Sequence, residues 1–456
     1  MRKRQSIVAF LVSGTLLLIS IYLLETKSQS SLLPRSYHLN ENIASTSLQK
    51  KKENVPFFQG EVFIPKEISY KVKIRKNRTG LQMLSSLYDQ LPSVRATYSS
   101  VSPYLDDFIK KLKEDLVVRG VTTDPWDLAR KWANPNAVVP ENAPGLGDVL
   151  AALSTAPIIE AGICTKGLKL KVLLTLEGNQ KALFKPIRCT RDKIIPSKGP
   201  DRHNAEIVAF HLGRLLGNRM VPMAAGRLVS VREELWSVAV PKLAETFYTN
   251  ENEEACFYGV CHYCKKMNPV CATKGFLEGV VILWFPDHLP LNKTLHPWRF
   301  GKSGKLAKWE TDTTYCTRVL RGDQSPQILD FVDQSVFDFL IQNDMRYHAV
   351  YIQGAPNSSL VPMDNGKSLG DPNIDRMDRL APLLQCCRIR QATYERLILL
   401  SGGGISRALR ELLALDPVAP VLTEAHLSAM DRRVTHILAA LSACREKEGG
   451  WEGVLY

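Results

Sequence analysis

The sequence predicts an α+β protein of two lobes, in which a strand-rich lobe precedes a helical one. Strand-like runs over residues 168–176 and 181–185 are separated by a short turn, and another apolar run covers 280–284. Between these runs, residues 205–216 carry apolar side chains at helical spacing, and the chain is mainly helical from 285 onward. We therefore expect the two lobes to join at residues 285–288.

Length and composition bound the class of protein. The chain has 456 residues, of which 45% are hydrophobic and 23% charged. This balance provides a large core and excludes a multi-span membrane protein, a collagen and a wholly disordered chain. Lysine and arginine number 59 against 46 acidic residues, a net charge of +13. Such a charge favours an acidic partner, whether nucleic acid, anionic lipid, phosphate or sulfated sugar.

The first residues predict the compartment. Three positive charges lie within residues 1–6, and residues 7–24 carry no charge. Eighteen mostly apolar residues are the lower limit for a bilayer-spanning helix. The run ends without a small-residue cleavage site, which favours an uncleaved anchor over a signal peptide. Because the basic residues come first, we expect a single-pass type II protein whose remaining chain is luminal.

The cysteines and glycosylation sequons agree with a luminal location. The ten cysteines include a local cluster, Cys256, Cys261, Cys264 and Cys271. In a cytosolic protein this cluster would suggest zinc, whereas behind a secretory anchor disulfides are favoured. Sequons for N-glycosylation occur at Asn77, Asn292 and Asn357.

The chain divides into segments without an internal repeat. We predict a cytosolic tail (1–6), a transmembrane signal anchor (7–24), a polar luminal stem (25–100), a helical N-terminal extension (101–147), a strand-rich lobe (148–284) and a helical lobe (285–456). Cleavage within the stem would release a secreted form.

The candidate chemistry begins with a lysine on a strand and a glutamate on the next helix. Lys185 and Glu206 have these positions, which kinases use to hold phosphate oxygens. Two surface charges on adjacent elements would give the same pattern. Asp364 starts an Asp-Asn-Gly turn, where a carboxylate can bind a divalent metal, although such turns are common without one. Residues 337–348 form a helix ending in a polar cluster that could supply a base. This order of groups is that of a kinase-like fold.

Several stretches give the chain a resemblance to the atypical kinases of the secretory (Golgi) pathway, which include glycosaminoglycan xylosylkinase and the Golgi casein kinase. The matching stretches are FKP at 184–186, DRHNAEIVAFHL at 201–212, the cysteine cluster at 256–271, VFDFLI at 336–341, DNGKS at 364–368, LAPLLQCCRIR at 380–390 and DPVAPVL at 416–422. Residues 176–178, 283–287 and 290–291 resemble the xylosylkinase branch more closely. The resemblance implies a two-lobed, atypical protein-kinase-like fold with disulfides.

The resemblance also implies roles for individual residues. Lys185 would contact ATP, Glu206 would orient it, and Asp201 with Asp364 would hold Mn²⁺ or Mg²⁺. The hinge residues that would contact adenine are Phe285, Pro286, Asp287 and His288.

Disulfide pairing is implied in the same way. The implied bonds are Cys256–Cys271 and Cys261–Cys264, with Cys316 and Cys444 each joined to Cys386 or Cys387 in an order left open. We interpret Cys164 and Cys189 as a fifth bridge peculiar to this chain.

Three positions depart from the family pattern. Met345 stands where the catalytic aspartate is expected, and the nearest carboxylate, Asp344, lies one residue earlier. One residue rotates a side chain by about 100° on a helix. Lys169 replaces a glutamine and Val350 a glutamate on the ATP side. We take Asp344 as the candidate base and Lys169 as a further phosphate contact.

The resemblance favours transfer of the ATP γ-phosphate to the 2-hydroxyl of xylose in the proteoglycan linkage region, within the Golgi. The departures keep open a pseudokinase that binds nucleotide or activates an active relative as a homo- or heterodimer. A protein serine kinase is the third alternative.

Overall fold

The computed structural model describes residues 71–72, 83–120, 123–194, 199–300, 305–355 and 358–456. The predicted anchor at 7–24 lies outside these residues, as do the sequons at Asn77 and Asn357. No helix within the described ranges is long and apolar enough to cross a membrane.

Strands concentrate in the first lobe. They are Lys71–Val72 (β1), Ile158–Ile163 (β2), Val172–Leu176 (β3), Gln180–Pro186 (β4), Ala224–Ser230 (β5), Phe247–Thr249 (β6), Ala255–Phe257 (β7), Val270–Cys271 (β8), Phe276–Leu283 (β9), Leu291–Leu295 (β10), His348–Ile352 (β11) and Ile374–Asp375 (β12).

Helices dominate the second lobe and precede the first. They are Met83–Thr97 (α1), Leu105–Asp115 (α2), Pro125–Trp132 (α3), Leu146–Thr155 (α4), Asn204–Leu216 (α5), Pro241–Ala244 (α6), Lys308–Thr311 (α7), Tyr315–Leu320 (α8), Ile328–Leu340 (α9), Ala381–Cys386 (α10), Gln391–Leu399 (α11), Gly404–Leu413 (α12) and Glu424–Glu448 (α13).

A five-stranded antiparallel sheet, ordered β2-β3-β4-β9-β5, forms the first lobe. Its central hairpin is the one predicted from two strand-like runs and a turn, and in it Val172, Leu174 and Leu176 are fully buried while the residues between them are partly exposed. The turn between β3 and β4 contains Gly178 at φ 78°, a left-handed conformation that favours glycine. This hairpin places Lys185 near the end of β4.

Helix α5 lies between the sheet and the second lobe. Every residue of α5 except Arg214 is buried, and Gly217 ends the helix at φ 76°. Asn204, at its start, donates a hydrogen bond to the Val421 carbonyl of the second lobe at 2.9 Å. Glu206, in the first turn, therefore has a fixed position facing the junction of the lobes.

The end of the predicted stem belongs to the fold, which corrects the boundary at residue 100. Helix α1 buries Leu84, Leu87, Leu91 and Val94, an apolar stripe that the sequence interpretation missed. It packs against α13 of the second lobe, where Ser442 donates to Gln90 at 3.0 Å. Burial of this stripe against a tertiary partner stabilises α1 despite Pro92 within it.

Four disulfides are present, Cys256–Cys271, Cys261–Cys264, Cys316–Cys386 and Cys387–Cys444. The first two leave no thiolate in the local cluster for zinc, and the last two resolve the open pairing. The fifth bridge is wrong, because Cys164 and Cys189 are free thiols. Cys164 follows β2 and Cys189 follows β4, and β3 lies between these strands. Two strand spacings are about 9–10 Å, beyond the reach of a disulfide.

Candidate active site

A buried lysine contacts two carboxylates at the junction of the lobes. Lys185 Nζ lies 2.7 Å from Glu206 Oε1 and 2.8 Å from Asp364 Oδ1. Lys185 and Glu206 are only 4% and 5% exposed, whereas the side chain of Asp364 is 69% exposed. The structure thus brings together three predicted residues from a strand, a helix and a distant loop, and leaves the Asp364 carboxylate open to a ligand.

The charges in this cluster stabilise one another. Burial by itself would lower the pKa of Lys185, but Asp364 and Glu206 outweigh it and hold that pKa well above its ordinary value. Lys185 in turn holds the pKa of Asp364 far below the ordinary range. At neutral pH Lys185 is therefore an ammonium and Asp364 a carboxylate, and the two form an ion pair.

Asn365 joins this cluster to the second lobe. Glu206 accepts hydrogen bonds from the Asn365 backbone N–H at 2.9 Å and from its Nδ2 at 3.1 Å. Asn365 Oδ1 accepts from Arg346 Nη2 at 2.8 Å, and Arg346 forms a two-point ion pair with Asp338 at 2.8 and 3.0 Å. Sequence reasoning did not assign roles to Asn365, Arg346 or Asp338, although all three lie in the stretches it had singled out.

Asp201 adds a second carboxylate beside the Asp364 loop. The Arg202 N–H donates to the Gly366 carbonyl at 2.8 Å, and a Cβ on Gly366 would lie 2.8 Å from that of Asp201. Only a glycine permits this approach. Asp201 Oδ1 is buried without a hydrogen bond in the described part of the chain, and Lys367 Nζ neutralises it at 2.9 Å.

These two carboxylates fit a divalent cation. Magnesium-like ions in phosphoryl-transfer sites use one or two carboxylates and take their remaining ligands from phosphate and water. Among the described residues there is no group of three or more Asp, Glu, His or Cys side chains that could hold a metal. Asp201 and Asp364 therefore supply the one or two carboxylates that such a site needs.

The candidate base is held by arginines. Asp344 Oδ1 lies 2.7 Å from Arg376 Nη1 and 3.7 Å from Arg379 Nη2, and its carbonyl accepts a hydrogen bond from Arg379. The side chain of Asp344 is 16% exposed. Its N–H donates to the Lys367 carbonyl at 3.3 Å, so Asp344 adjoins the Asp364 loop while one carboxylate oxygen is occupied.

Lys169 lies on the strand side of the site. Burial lowers the pKa of Lys169, the charge of Lys367 lowers it further, and the charge of Asp201 acts in the opposite direction. Its ammonium stacks 4.5 Å from the centre of the Tyr263 ring. Lys171 also acts electrostatically on Asp364.

The predicted hinge follows β9 and borders two features. Phe285, with Val350 and Met363, packs against a small apolar cluster formed by Met220, Leu289, Ile352 and Val361. Val350 is thus an apolar packing residue, and Met363 precedes Asp364. The four residues Phe285, Pro286, Asp287 and His288 also line a separate cleft of about 470 Å³ against α3, which contains neither Lys185 nor Asp364.

A strand lysine paired with a helix glutamate, and contacted by a metal-type aspartate from the other lobe, defines a two-lobed protein of the kinase class. Residues 124–452 match the family model described as Fam20C, Golgi casein kinase, C-terminal, Fam20. The chain belongs to the Fam20 family.

Relatives within this family support the assignment. A glycosaminoglycan xylosylkinase of Danio rerio is 46% identical over 333 residues, covering 71% of this chain and 81% of the relative. Other relatives are named pseudokinases and extracellular serine/threonine kinases.

Solved structures share the fold. A hydra Fam20 with sugar has a TM-score of 0.70 and 40% identity, covering 74% of this chain and 99% of its own. The Golgi casein kinase with Mn/ADP bound has a TM-score of 0.70 and 27% identity, covering 80% and 92%. The two-lobed kinase-like fold expected from the sequence is confirmed.

Proposed function

We propose that this chain transfers the γ-phosphate of ATP to the 2-hydroxyl of xylose in the proteoglycan linkage region. The observation that carries the proposal is the contact of Lys185 with both Glu206 and Asp364. The similarity to glycosaminoglycan xylosylkinases supports the choice of acceptor.

The proposed setting is the Golgi lumen. An N-terminal type II anchor at 7–24 would hold the protein in the membrane, and stem cleavage would release it. The four disulfides support an oxidising compartment. Asn292, on β10, is exposed and accessible to glycosylation.

The roles of the residues follow from their contacts. Lys185 would bind phosphate oxygens, and Glu206 keeps it charged and oriented. Asp201 and Asp364 would hold Mn²⁺ or Mg²⁺, which neutralises charge on the transferring group when bound. Asp344 would accept the acceptor hydroxyl proton through the oxygen that Arg376 does not occupy, and Lys169 would add a phosphate contact. The hinge residues Phe285, Pro286, Asp287 and His288 would contact adenine.

A second candidate function is a pseudokinase that binds nucleotide or activates a family member in a dimer. The observation favouring it is the pairing of Asp344 with Arg376 and Arg379, together with Met345 at the expected base position. Positioning and charge stabilisation would persist without a base, but proton transfer would lose an acceptor.

The test is transfer of labelled phosphate from ATP, with Mn²⁺, to a xylose-containing linkage oligosaccharide. The variants are Asp364→Ala and Asp344→Asn, and exposed Asp323→Asn is the matched control. We expect transfer by the unchanged protein and the control, and its loss in both site variants. Nucleotide binding without transfer would favour the pseudokinase, and phosphate on a serine peptide instead of the sugar would favour a protein kinase.

A further inference from the structure

The two carboxylates that could hold a divalent cation differ in how open they are. The side chain of Asp364 is 69% exposed, and its partner Lys185 keeps a second contact with Glu206. The side chain of Asp201 is only 15% exposed, and Lys367 Nζ lies 2.9 Å from its Oδ1. Asp364 is therefore open to an ion, whereas Asp201 is already paired with an ammonium.

The Asp201 carboxylate depends on that ammonium. Its Oδ1 is buried and accepts no hydrogen bond within the described ranges. Burial removes the water that would otherwise solvate the oxygen, so a cation beside it is needed to keep it charged. The Lys367 side chain is itself only 14% exposed, and its Nζ also donates a hydrogen bond to the Gly199 carbonyl. Because solvent screens this pair little, the interaction is stronger than that of an exposed ion pair.

The backbone holds Lys367 beside Asp201 from both sides. The Arg202 N–H donates to the Gly366 carbonyl at 2.8 Å. Arg202 Nη1 donates to the Ser368 carbonyl at 3.3 Å. The residues before and after Lys367 are thus both bound to the residue that follows Asp201. The ion pair therefore joins two segments that are already fixed relative to each other.

A divalent cation at Asp201 would have to share that carboxylate with the Lys367 ammonium. The two positive charges repel each other strongly in a mostly buried site, where the effective dielectric constant is low. The lysine must therefore withdraw, or remain at an electrostatic cost, and either event lowers the affinity for the metal. The Lys367 ammonium also attracts phosphate oxygens, so it favours a nucleotide that arrives without a metal.

We propose that Lys367 sets the metal affinity of the candidate site by competing with the divalent cation for Asp201. This inference rests on the proposed function, since it takes from it that Asp201 is a metal ligand. Asp364 can accept an ion while Lys185 stays on Glu206, whereas Asp201 can do so only against the charge of Lys367. Lys367 is thus a residue that determines how much metal the site requires.

The test measures binding and needs no phosphate transfer. Binding of ADP to the full chain is followed by equilibrium dialysis at a series of free Mn²⁺ concentrations, and the concentration that gives half of the maximal binding is the readout. Lys367→Gln and Lys367→Met remove the charge, with and without a hydrogen-bond donor, and Lys367→Arg keeps it. The matched control is Lys113→Gln, since Lys113 also forms an ion pair, with Glu411 at 3.2 Å, but lies on α2.

We expect either uncharged variant that folds to lower the half-maximal Mn²⁺ concentration at least about tenfold, as for the loss of one competing charge. Lys367→Arg and Lys113→Gln should stay close to the unmodified protein. In a chain that carries Asp201→Asn, the change Lys367→Gln should have no effect, because the competition acts through Asp201. An unchanged half-maximal concentration in the uncharged variants, or the same effect in the Asp201→Asn chain, overturns the proposal.

The result is separable from the proposed function. If the unmodified protein transfers no phosphate but the uncharged variants need less Mn²⁺, only the transfer reaction is refuted. If transfer occurs and the Mn²⁺ requirement does not change, only the role of Lys367 is refuted. Binding of ADP that does not respond to Mn²⁺ in any variant refutes the role of Lys367 together with that of the metal.

Discussion

Acidification from pH 7 to pH 5.5 is expected to destabilise the fold, because three histidines are buried in neutral form. Burial lowers the pKa of His211 and of His296 to about 3 and that of His436 to about 4. Nearby arginines add to each shift. All three rings are less than 7% exposed, so little solvent reaches them to offset the effect.

The sign follows from the unfolded chain, whose histidines have pKa values of about 6.5 and take up protons in this range. A group with a depressed pKa in the folded state favours unfolding as the pH falls through the unfolded value. Between pH 7 and pH 5.5 each ring lowers the free energy of unfolding by about 1.2 kcal/mol, and the three together lower it by about 4 kcal/mol.

Carboxylates whose pKa burial raises act in the opposite direction; they are Asp330, Asp333, Asp416 and Asp431. Burial raises the pKa of Asp333 to about 6 despite its ion pair with Arg390. Protonation of Asp333 in the folded state adds about 0.8 kcal/mol to the free energy of unfolding, so the net loss on acidification is about 3 kcal/mol. That is a large part of the 5–15 kcal/mol typical of a domain.

The assay is urea unfolding at both pH values. His211→Asn should reduce the pH-dependent loss by about 1.2 kcal/mol, whatever it does to stability at pH 7, and exposed His262→Asn should not change the loss. A change of less than about 1 kcal/mol in the unmodified protein would refute the reasoning, since the buried rings would then bind protons without unfolding.

Three further predictions concern the site and the cross-links. Glu206→Gln removes a buried charge that accepts three hydrogen bonds, so it should lower the free energy of unfolding by about 2–3 kcal/mol and weaken nucleotide binding. The control, exposed Glu245→Gln, should change neither. Equal melting temperatures of the two variants in thermal unfolding would contradict this prediction. Met345→Asp places a carboxylate where the family's base is expected, so adding it to the Asp344→Asn variant should raise the transfer rate of that variant at least about tenfold, given that a general base contributes about 10²–10⁴. An unchanged rate with intact nucleotide binding would count against it. Replacing the Cys316–Cys386 bond by two serines should lower the free energy of unfolding by about 4 kcal/mol, and replacing the Cys261–Cys264 bond should lower it by about 2 kcal/mol, because the first bond closes the longer loop. The measurement is urea unfolding of both variants, and an equal or larger loss on removing Cys261–Cys264 would contradict the prediction.

Local patterns in the sequence determined the elements that carry Lys185 and Glu206. Strand-like runs on either side of a turn defined the β3–β4 hairpin, and helical spacing defined α2 and α5, because these signals depend on residues close together in the chain. The pairing of Lys185 with Glu206 followed from the same local order. Helix α1 was missed, because its apolar stripe is stabilised by α13, more than 300 residues further along the chain.

What the sequence alone determined is the set of groups available to the site: a strand lysine, a helix glutamate, two aspartates and a methionine where a base is expected. The tertiary structure decided how they are used. Arg376 and Arg379 reach Asp344 from 32 and 35 residues away, and β3 keeps Cys164 from Cys189. Neither outcome depends on residue type or spacing, since a contact between distant residues is set by how whole elements pack.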